Sequence, residues 1–167
     1  MGQCEWSSAA QEPGTLWPHL QTVPSLVIID ALETGSTMEA AQLTLIHFKM
    51  ALEAMARSHP EEFEFLKQCE LEYSEGPFRA LHPIYTLDPQ NGQILSATFN
   101  NITRSNSITT KSLEKLYLSL QKLGRVCGEY SVPIQLYPGR RLIVDNTKVL
   151  IGAPAQQQRK LLLKLLS

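Results

Sequence analysis

The residues that could do chemistry in this chain are few, and their spacing assembles no complete centre. Four histidines could offer an imidazole to a metal or a proton: His19, His47, His59 and His82. His19 is followed by Leu20-Gln21, so no carboxylate stands two places on, and it is at best an incomplete metal-ligand candidate. His47 lies beside an apolar stripe, and His59 and His82 each precede a proline. These three share no spacing that converges on a metal and are expected to be structural. Three cysteines, Cys4, Cys69 and Cys127, are an odd number without short metal-type spacing. They suit free thiols in a reducing compartment better than a disulfide framework. No Gly-x-Ser-x-Gly elbow is present, which sets aside a hydrolase of that kind.

Composition narrows the partners. The chain has 167 residues, 43% of them apolar, which is enough for one ordinary core. A formal net charge of -1, with the basic residues scattered, gives no case for nucleic-acid binding. No apolar run approaches the ~20 residues that span a bilayer, and no secretory signal opens the chain. The expectation is an intracellular protein, cytoplasmic or mitochondrial, with no membrane partner.

The elements that would position a site follow from periodicity. Residues 1–24 carry Pro13, Gly14, Pro18 and Pro24 among small and polar residues and are expected to form a loosely ordered arm. Leu26-Val27-Ile28-Ile29 reads as a buried strand. From Glu39 to Arg57 the residues Leu43, Ile46, Met50, Ala54 and Met55 fall at helical spacing. Pro60-Glu61-Glu62 opens a second short helix, with proline in the first turn and acids at the positive end. Cys69 to Tyr73 alternates with period two. Pro83 to Leu87 and Gln93 to Phe99 flank Asp88-Pro89-Gln90-Asn91-Gly92, a hairpin signal, because Asn-Gly tolerates positive φ. Ser112 to Gly124 reads as an amphipathic helix stopped by its glycine, with Leu113, Leu116, Tyr117, Leu120 and Leu123 on one face. Strands follow at Val132 to Tyr137, Arg141 to Val144 and Lys148 to Ile151, and residues 155–167 read as a divergent C-terminal helix. This pattern predicts an α+β, mostly β domain: antiparallel strands with helices packed on them.

The run Leu136-Tyr137-Pro138-Gly139-Arg140-Arg141-Leu142-Ile143-Val144-Asp145-Asn146-Thr147-Lys148-Val149-Leu150-Ile151-Gly152, with Phe99-Asn100-Asn101-Ile102-Thr103-Arg104 upstream, resembles a known family. It is similar to the C-terminal part of the γ-butyrobetaine and trimethyllysine dioxygenases, TauD/TfdA-like oxygenases that depend on Fe(II) and 2-oxoglutarate and act in carnitine biosynthesis. Pro24-Ser25-Leu26-Val27-Ile28-Ile29 and Pro60-Glu61-Glu62-Phe63 also look like family segments. The resemblance implies a partial double-stranded β-helix (jelly roll) over residues 25–154, and a small-molecule substrate contacted by Asn100 with Asn101 as its neighbour.

The same resemblance implies iron held by a His-x-Asp pair before the first strand and a distal His. Such a centre needs two imidazoles and one carboxylate on one face of the metal. The distal position here is Ile151, and only His19 lies near the first pair. The cosubstrate carboxylate would fall to an arginine in the last strand, for which Arg159 is the nearest match. Arginine suits that role because it pairs bidentately with carboxylates. The expectation is therefore a truncated or variant, catalytically impaired form that binds neither Fe(II) nor 2-oxoglutarate. The alternatives are an active oxidoreductase hydroxylating a trimethylammonium acid, or a non-catalytic protein that forms homo-oligomers or pairs with a complete dioxygenase subunit.

Overall fold

Strands dominate because short β-branched runs alternate with turn sequences. The computed structural model describes residues 3–6, 11–32, 40–108, 110, 112–153 and 161–166. The first half holds β1 (Gln3–Trp6), β2 (Gln11–Gly14), β3 (Leu26–Ala31), β4 (Ala41–His47), α1 (Phe48–Ser58) and α2 (Pro60–Lys67). Next come β5 (Glu70–Glu75), β6 (Phe78–Pro83), β7 (Tyr85–Leu87) and β8 (Ile94–Ala97). After these lie α3 (Leu113–Glu129), β9 (Ser131–Leu136), β10 (Arg141–Asp145), β11 (Val149–Ala153) and β12 (Leu161–Leu166).

Two four-stranded antiparallel sheets form the body, in the orders β1-β12-β3-β10 and β2-β11-β4-β9. This is the expected mostly β jelly roll with packed helices. Val27, Ile29, Ala31 and Val144 of the first sheet meet Ala41, Leu43, Leu136 and Ile151 of the second in one apolar cluster, so a core runs between the sheets. A second core lies under the helices and joins Phe48, Leu52 and Met55 of α1, Leu116 and Leu123 of α3, and Tyr73 and Tyr85. The chain interleaves its ends: Gln3 stands opposite Lys164, and Gly14 opposite Ile151.

The hairpin β7–β8 forms as expected, with Gly92 at φ +70° in its turn. Gly139 at φ +74° serves the Pro-Gly turn between β9 and β10. Other expectations need correction. The arm over residues 1–24 carries β1 and β2, and Thr15, Leu16 and His19 are buried. Polar ties rather than a repeating apolar face hold it, which composition does not reveal. The expected helix from Glu39 begins instead as β4, with Ala41 and Leu43 buried and Gln42 exposed between them, and turns helical only at Phe48. Strands β9 and β11 pair with both of its edges, and this tertiary pairing overrides the helical spacing. Met50, placed on the inner stripe by that spacing, is 46% exposed.

Within the span expected to be the C-terminal helix, residues 161–166 are β12, inserted between β1 and β3, and the rest lies outside the described residues. Leucine favours helices, but a slot with main-chain partners on both sides decides the outcome. Helix α3 runs five residues past Gly124, to Glu129, and so that glycine is not its stop. Leu113 and Tyr117, placed on its inner face, are about half exposed. Strand β6, pairing with β5 around Gly76 at φ +56°, was not signalled by periodicity. No described helix is long and apolar enough to cross a membrane.

Cys69 and Cys127 are free thiols within the helical core, as the cysteine pattern suggests. Burial pushes the Cys127 thiol up to about 12. Burial also raises Cys69, against a smaller lowering by a hydrogen bond with Thr110. Both are therefore protonated, unreactive thiols at neutral pH. Native protein treated with iodoacetamide and mapped by peptide mass should be unlabelled at Cys69 and Cys127. Both should label fully in guanidinium, and rapid native labelling at either would contradict this packing.

Candidate functional site

The resemblance places Ile151 at the distal position, and Ile151 lies where β2 meets β11. Gly14, the last residue of β2, lies opposite Ile151. Beyond Gly14 the chain leaves the strand, but the main-chain groups of Thr15 and Leu16 stay bound. Thr15 donates its N–H to the Phe99 carbonyl at 2.7 Å, and its Oγ1 accepts the Phe99 N–H at 3.0 Å. Asn100 Nδ2 donates to the Thr15 carbonyl at 3.0 Å.

Asn146 completes the clamp. Its side chain is fully buried, and its Oδ1 accepts the Leu16 N–H at 2.8 Å. Its Nδ2 donates to the Leu16 and Pro24 carbonyls, each at 2.9 Å. The Asn146 N–H meanwhile donates to the Ser25 carbonyl at 2.8 Å. One amide thus fastens both ends of the excursion from Leu16 to Pro24. Trp17, just inside it, takes the left-handed conformation at φ +53°, rare for an aromatic residue. The Asp145 carboxyl anchors the adjacent turn. Burial raises its pKa, but hydrogen bonds from Lys148 and Thr147 outweigh this and hold it below the usual carboxylate range.

The clamp points Leu16 into the core between the sheets. Leu16 is 8% exposed and Ile151 1%, and they share one cluster with Val27, Ile29, Leu43 and Val144. From the segment before β3, Gly14 lies opposite Ile151 and Leu16 shares its cluster, two residues apart, which is the spacing of a His-x-Asp pair. Neither they nor Ile151 carries a side-chain donor atom. Among the described residues no three His, Cys, Asp or Glu side chains come together. The residues present do not fit iron, and no metal-dependent step can be assigned to them.

His19 is not the solvated side chain its sequence neighbourhood suggests. It is 6% exposed, its Nδ1 lies 2.9 Å from Glu75 Oε2, and its ring faces Phe78 at 6.2 Å. The angle at Nδ1 is too poor for a good hydrogen bond. The pair pins the excursion onto the β5–β6 hairpin, together with His82 Nε2, 2.8 Å from the Leu20 carbonyl. His47 Nδ1 accepts the Met50 N–H and caps α1, and His59 is the N-terminal cap residue of α2. Each histidine has a structural place.

Asn100 sits against Gly14. A Cβ at that glycine would lie 2.8 Å from Asn100 Cγ and Nδ2, closer than packing allows. Asn100 Oδ1 also accepts the Ile102 and Thr103 N–H groups at 3.0 and 3.1 Å. The structure therefore brings Asn100 beside Gly14 but commits its carbonyl oxygen to the turn. Asn101 turns outward, donating to Glu12 Oε2 and accepting from Arg104, whose guanidinium lies over the Tyr117 ring. Arg159 lies outside the described residues. Gly14, Leu16 and Asn146 escape a search for chemistry-bearing types, because two have no functional group and the third resembles any turn asparagine. Strand register is the signal that finds them.

No family model matches this sequence. Its fold is similar to the crystal structure of a taurine dioxygenase from Burkholderia xenovorans, with a TM-score of 0.74 at 17% identity, covering 98% of this chain and 61% of that one. It is likewise similar to the PvcB protein from Pseudomonas aeruginosa, with a TM-score of 0.71 at 16% identity, covering 98% of this chain and 63% of that one. A further structure of PvcB, described as an Fe, alpha-ketoglutarate dependent oxygenase from an isonitrile synthetic pathway, matches with a TM-score of 0.68 at 16% identity. The chain spans about three fifths of the length of these proteins. The likeness establishes the fold of Fe/2-oxoglutarate-dependent dioxygenases.

Asn146→Leu keeps the side-chain volume but removes three hydrogen bonds and orphans the Leu16 N–H and carbonyl. At roughly 1–3 kcal/mol per stranded buried group, it should lower unfolding stability by roughly 3–5 kcal/mol in urea titration. Gly14→Ala should cost about 1–3 kcal/mol through overpacking against Asn100. That cost should shrink in the Asn100→Ala background, and strict additivity of the two would contradict the contact.

Proposed function

We propose that this chain is a non-catalytic variant of the γ-butyrobetaine/trimethyllysine type of dioxygenase, a scaffold whose ligand positions have become core. One observation carries the reading: Ile151, in the distal position, is sealed in an apolar cluster with Leu16, beside a glycine. A facial iron centre needs neutral nitrogen donors and a charge-balancing carboxylate, and groups around the metal only tune ligands already there. Gly14, Leu16 and Ile151 supply none. The subfamily reading is supported by the Asp145-Asn146 turn leading into β11 and by the Asn100-Asn101-Ile102-Thr103-Arg104 motif. Both keep structural work here: the first clamps the Leu16–Pro24 excursion, and the second caps its own turn and braces Thr15. What remains for such a protein is recognition through its surface, with a second copy or a complete dioxygenase subunit as partner.

The deciding experiment loads the purified chain anaerobically with Fe(II), desalts it, and measures both retained iron and succinate release. The assay contains 2-oxoglutarate and either γ-butyrobetaine or trimethyllysine. Iron well below one equivalent and succinate no higher than in the metal-free control are expected. Stoichiometric iron with turnover would establish the active-oxidoreductase alternative instead. Restoring one imidazole should not rescue the centre: Ile151→His buries a polar ring without partners and should cost roughly 1–3 kcal/mol. Its iron retention should match that of the parent protein, read alongside the thermal transition.

A further inference from the structure

Among the described residues strand β10 is the edge of its sheet, paired with β3 on one side only. Hydrogen bonds at its two ends fix which way its main chain faces: Ala31 N–H donates to the Arg140 carbonyl, and Asn146 N–H to the Ser25 carbonyl. By antiparallel alternation, Leu142 and Val144 exchange bonds with Ile29 and Val27. The N–H and C=O groups of Arg141, Ile143 and Asp145 therefore point away from the sheet. Among the described residues the only main-chain bond to them is from the Lys148 N–H to the Asp145 carbonyl, within the turn.

The side chains of these same three residues share the outer face. Val144 is buried in the core between the sheets, whereas Ile143 is 59% exposed and Arg141 is exposed. An open edge with a β-branched apolar residue at its centre favours strand addition. The order of charges selects the strand that would add. When β10 pairs antiparallel with itself about Ile143, Arg141 falls opposite the Asp145 of the other copy at both ends. This register is also the one in which the outward-facing groups meet as hydrogen-bonded pairs. The central pair exchanges two bonds, and each Asp145 N–H reaches an Arg141 carbonyl.

We propose that the free edge of β10 is a self-association site, where a second copy of this chain adds antiparallel about a twofold axis at Ile143. The two sheets then become one of eight strands. Ile28, the buried cross-strand neighbour of Ile143, backs the apolar contact from within each copy. On either side of that contact Asp30, already bound by Arg141 at 2.6 and 3.1 Å, would share the guanidinium with the Asp145 of the other copy. Strand β9, an edge of the other sheet, is blunted by Pro133, which has no N–H to offer. The contact is small by the standard of stable interfaces, so the dimer is a dynamic one with a dissociation constant on the order of micromolar. This inference is independent of whether the chain binds iron.

Sedimentation velocity of the full chain from low to high micromolar concentration should show a reversible monomer–dimer shift. Ile143→Lys, at an exposed position, places two ammonium groups face to face and should raise the dissociation constant roughly tenfold or more, with the thermal transition of the monomer unchanged. Hydrogen-bonded antiparallel pairs hold their Cα atoms ~5.5 Å apart, within disulfide range. Ile143→Cys should therefore crosslink under mild oxidant, and Val132→Cys on β9 should not. A monomer at every concentration overturns the proposal. So does a dimer indifferent to Ile143→Lys, crosslinking through Val132→Cys, or a chain that pairs only with a complete dioxygenase subunit.

Discussion

One buried amide decides the shape of the amino-terminal half. Asn146 sits in a tight turn between β10 and β11, yet its side chain holds main-chain groups more than a hundred residues earlier, at Leu16 and Pro24. Removing those groups from water without partners would be costly, and the amide offers the matching acceptor and two donors in one rigid plane. Once Leu16 is held, Gly14 is delivered to Ile151 and Leu16 to the core, and the nine-residue excursion is closed at its root. A stretch with no amphipathic pattern is thereby made part of the wall.

Apolar side chains fill the space between the sheets. Fully burying a leucine or isoleucine contributes about 1.5–3 kcal/mol relative to exposure, whereas imidazoles and carboxylates in the same places would need a metal to balance them. Leu16 and Ile151 instead lie together in the apolar cluster between the sheets. The turns at Asn146 and Asn100 both serve this packing, the first holding Leu16 and the second bracing Thr15 beside Gly14. Asn100 illustrates the same economy: beside Gly14 it fills the volume that a longer side chain would claim.

Legibility in the sequence followed locality. The hairpin at Asn91-Gly92 and the three strands from β9 to β11 are marked by turn residues within a few positions, and they form where expected. Strand β4 and β12 were hidden because their conformation is set by neighbours far along the chain. Ala41 to His47 carries helical spacing and Leu161 to Leu166 a helix-favouring composition, and pairing on both edges overrules each. The histidines were easier to exclude than to place, since burial of His19 depends on Glu75 and Phe78 in a hairpin that only half announced itself. The place where Asn100, Gly14 and Ile151 come together could be looked for from Ile151 and Asn100, which stand against a motif. It was not legible at Gly14 and Leu16, where nothing but register distinguishes them.

The pairing of β1 with β12 and of β2 with β11 carries a consequence for how the molecule is made. Partners such as Gln3 and Lys164 are separated by nearly the whole chain, so closure of these ladders bears the largest loop entropy and comes late. On the ribosome β1 must wait, with open edges, until β12 has emerged. The helical core of α1, α2 and α3 has far shorter closures and can condense first. Truncation near the carboxyl end would therefore strip partners from the beginning of the chain, and a nascent chain stalled late in synthesis would present β3 with one side open.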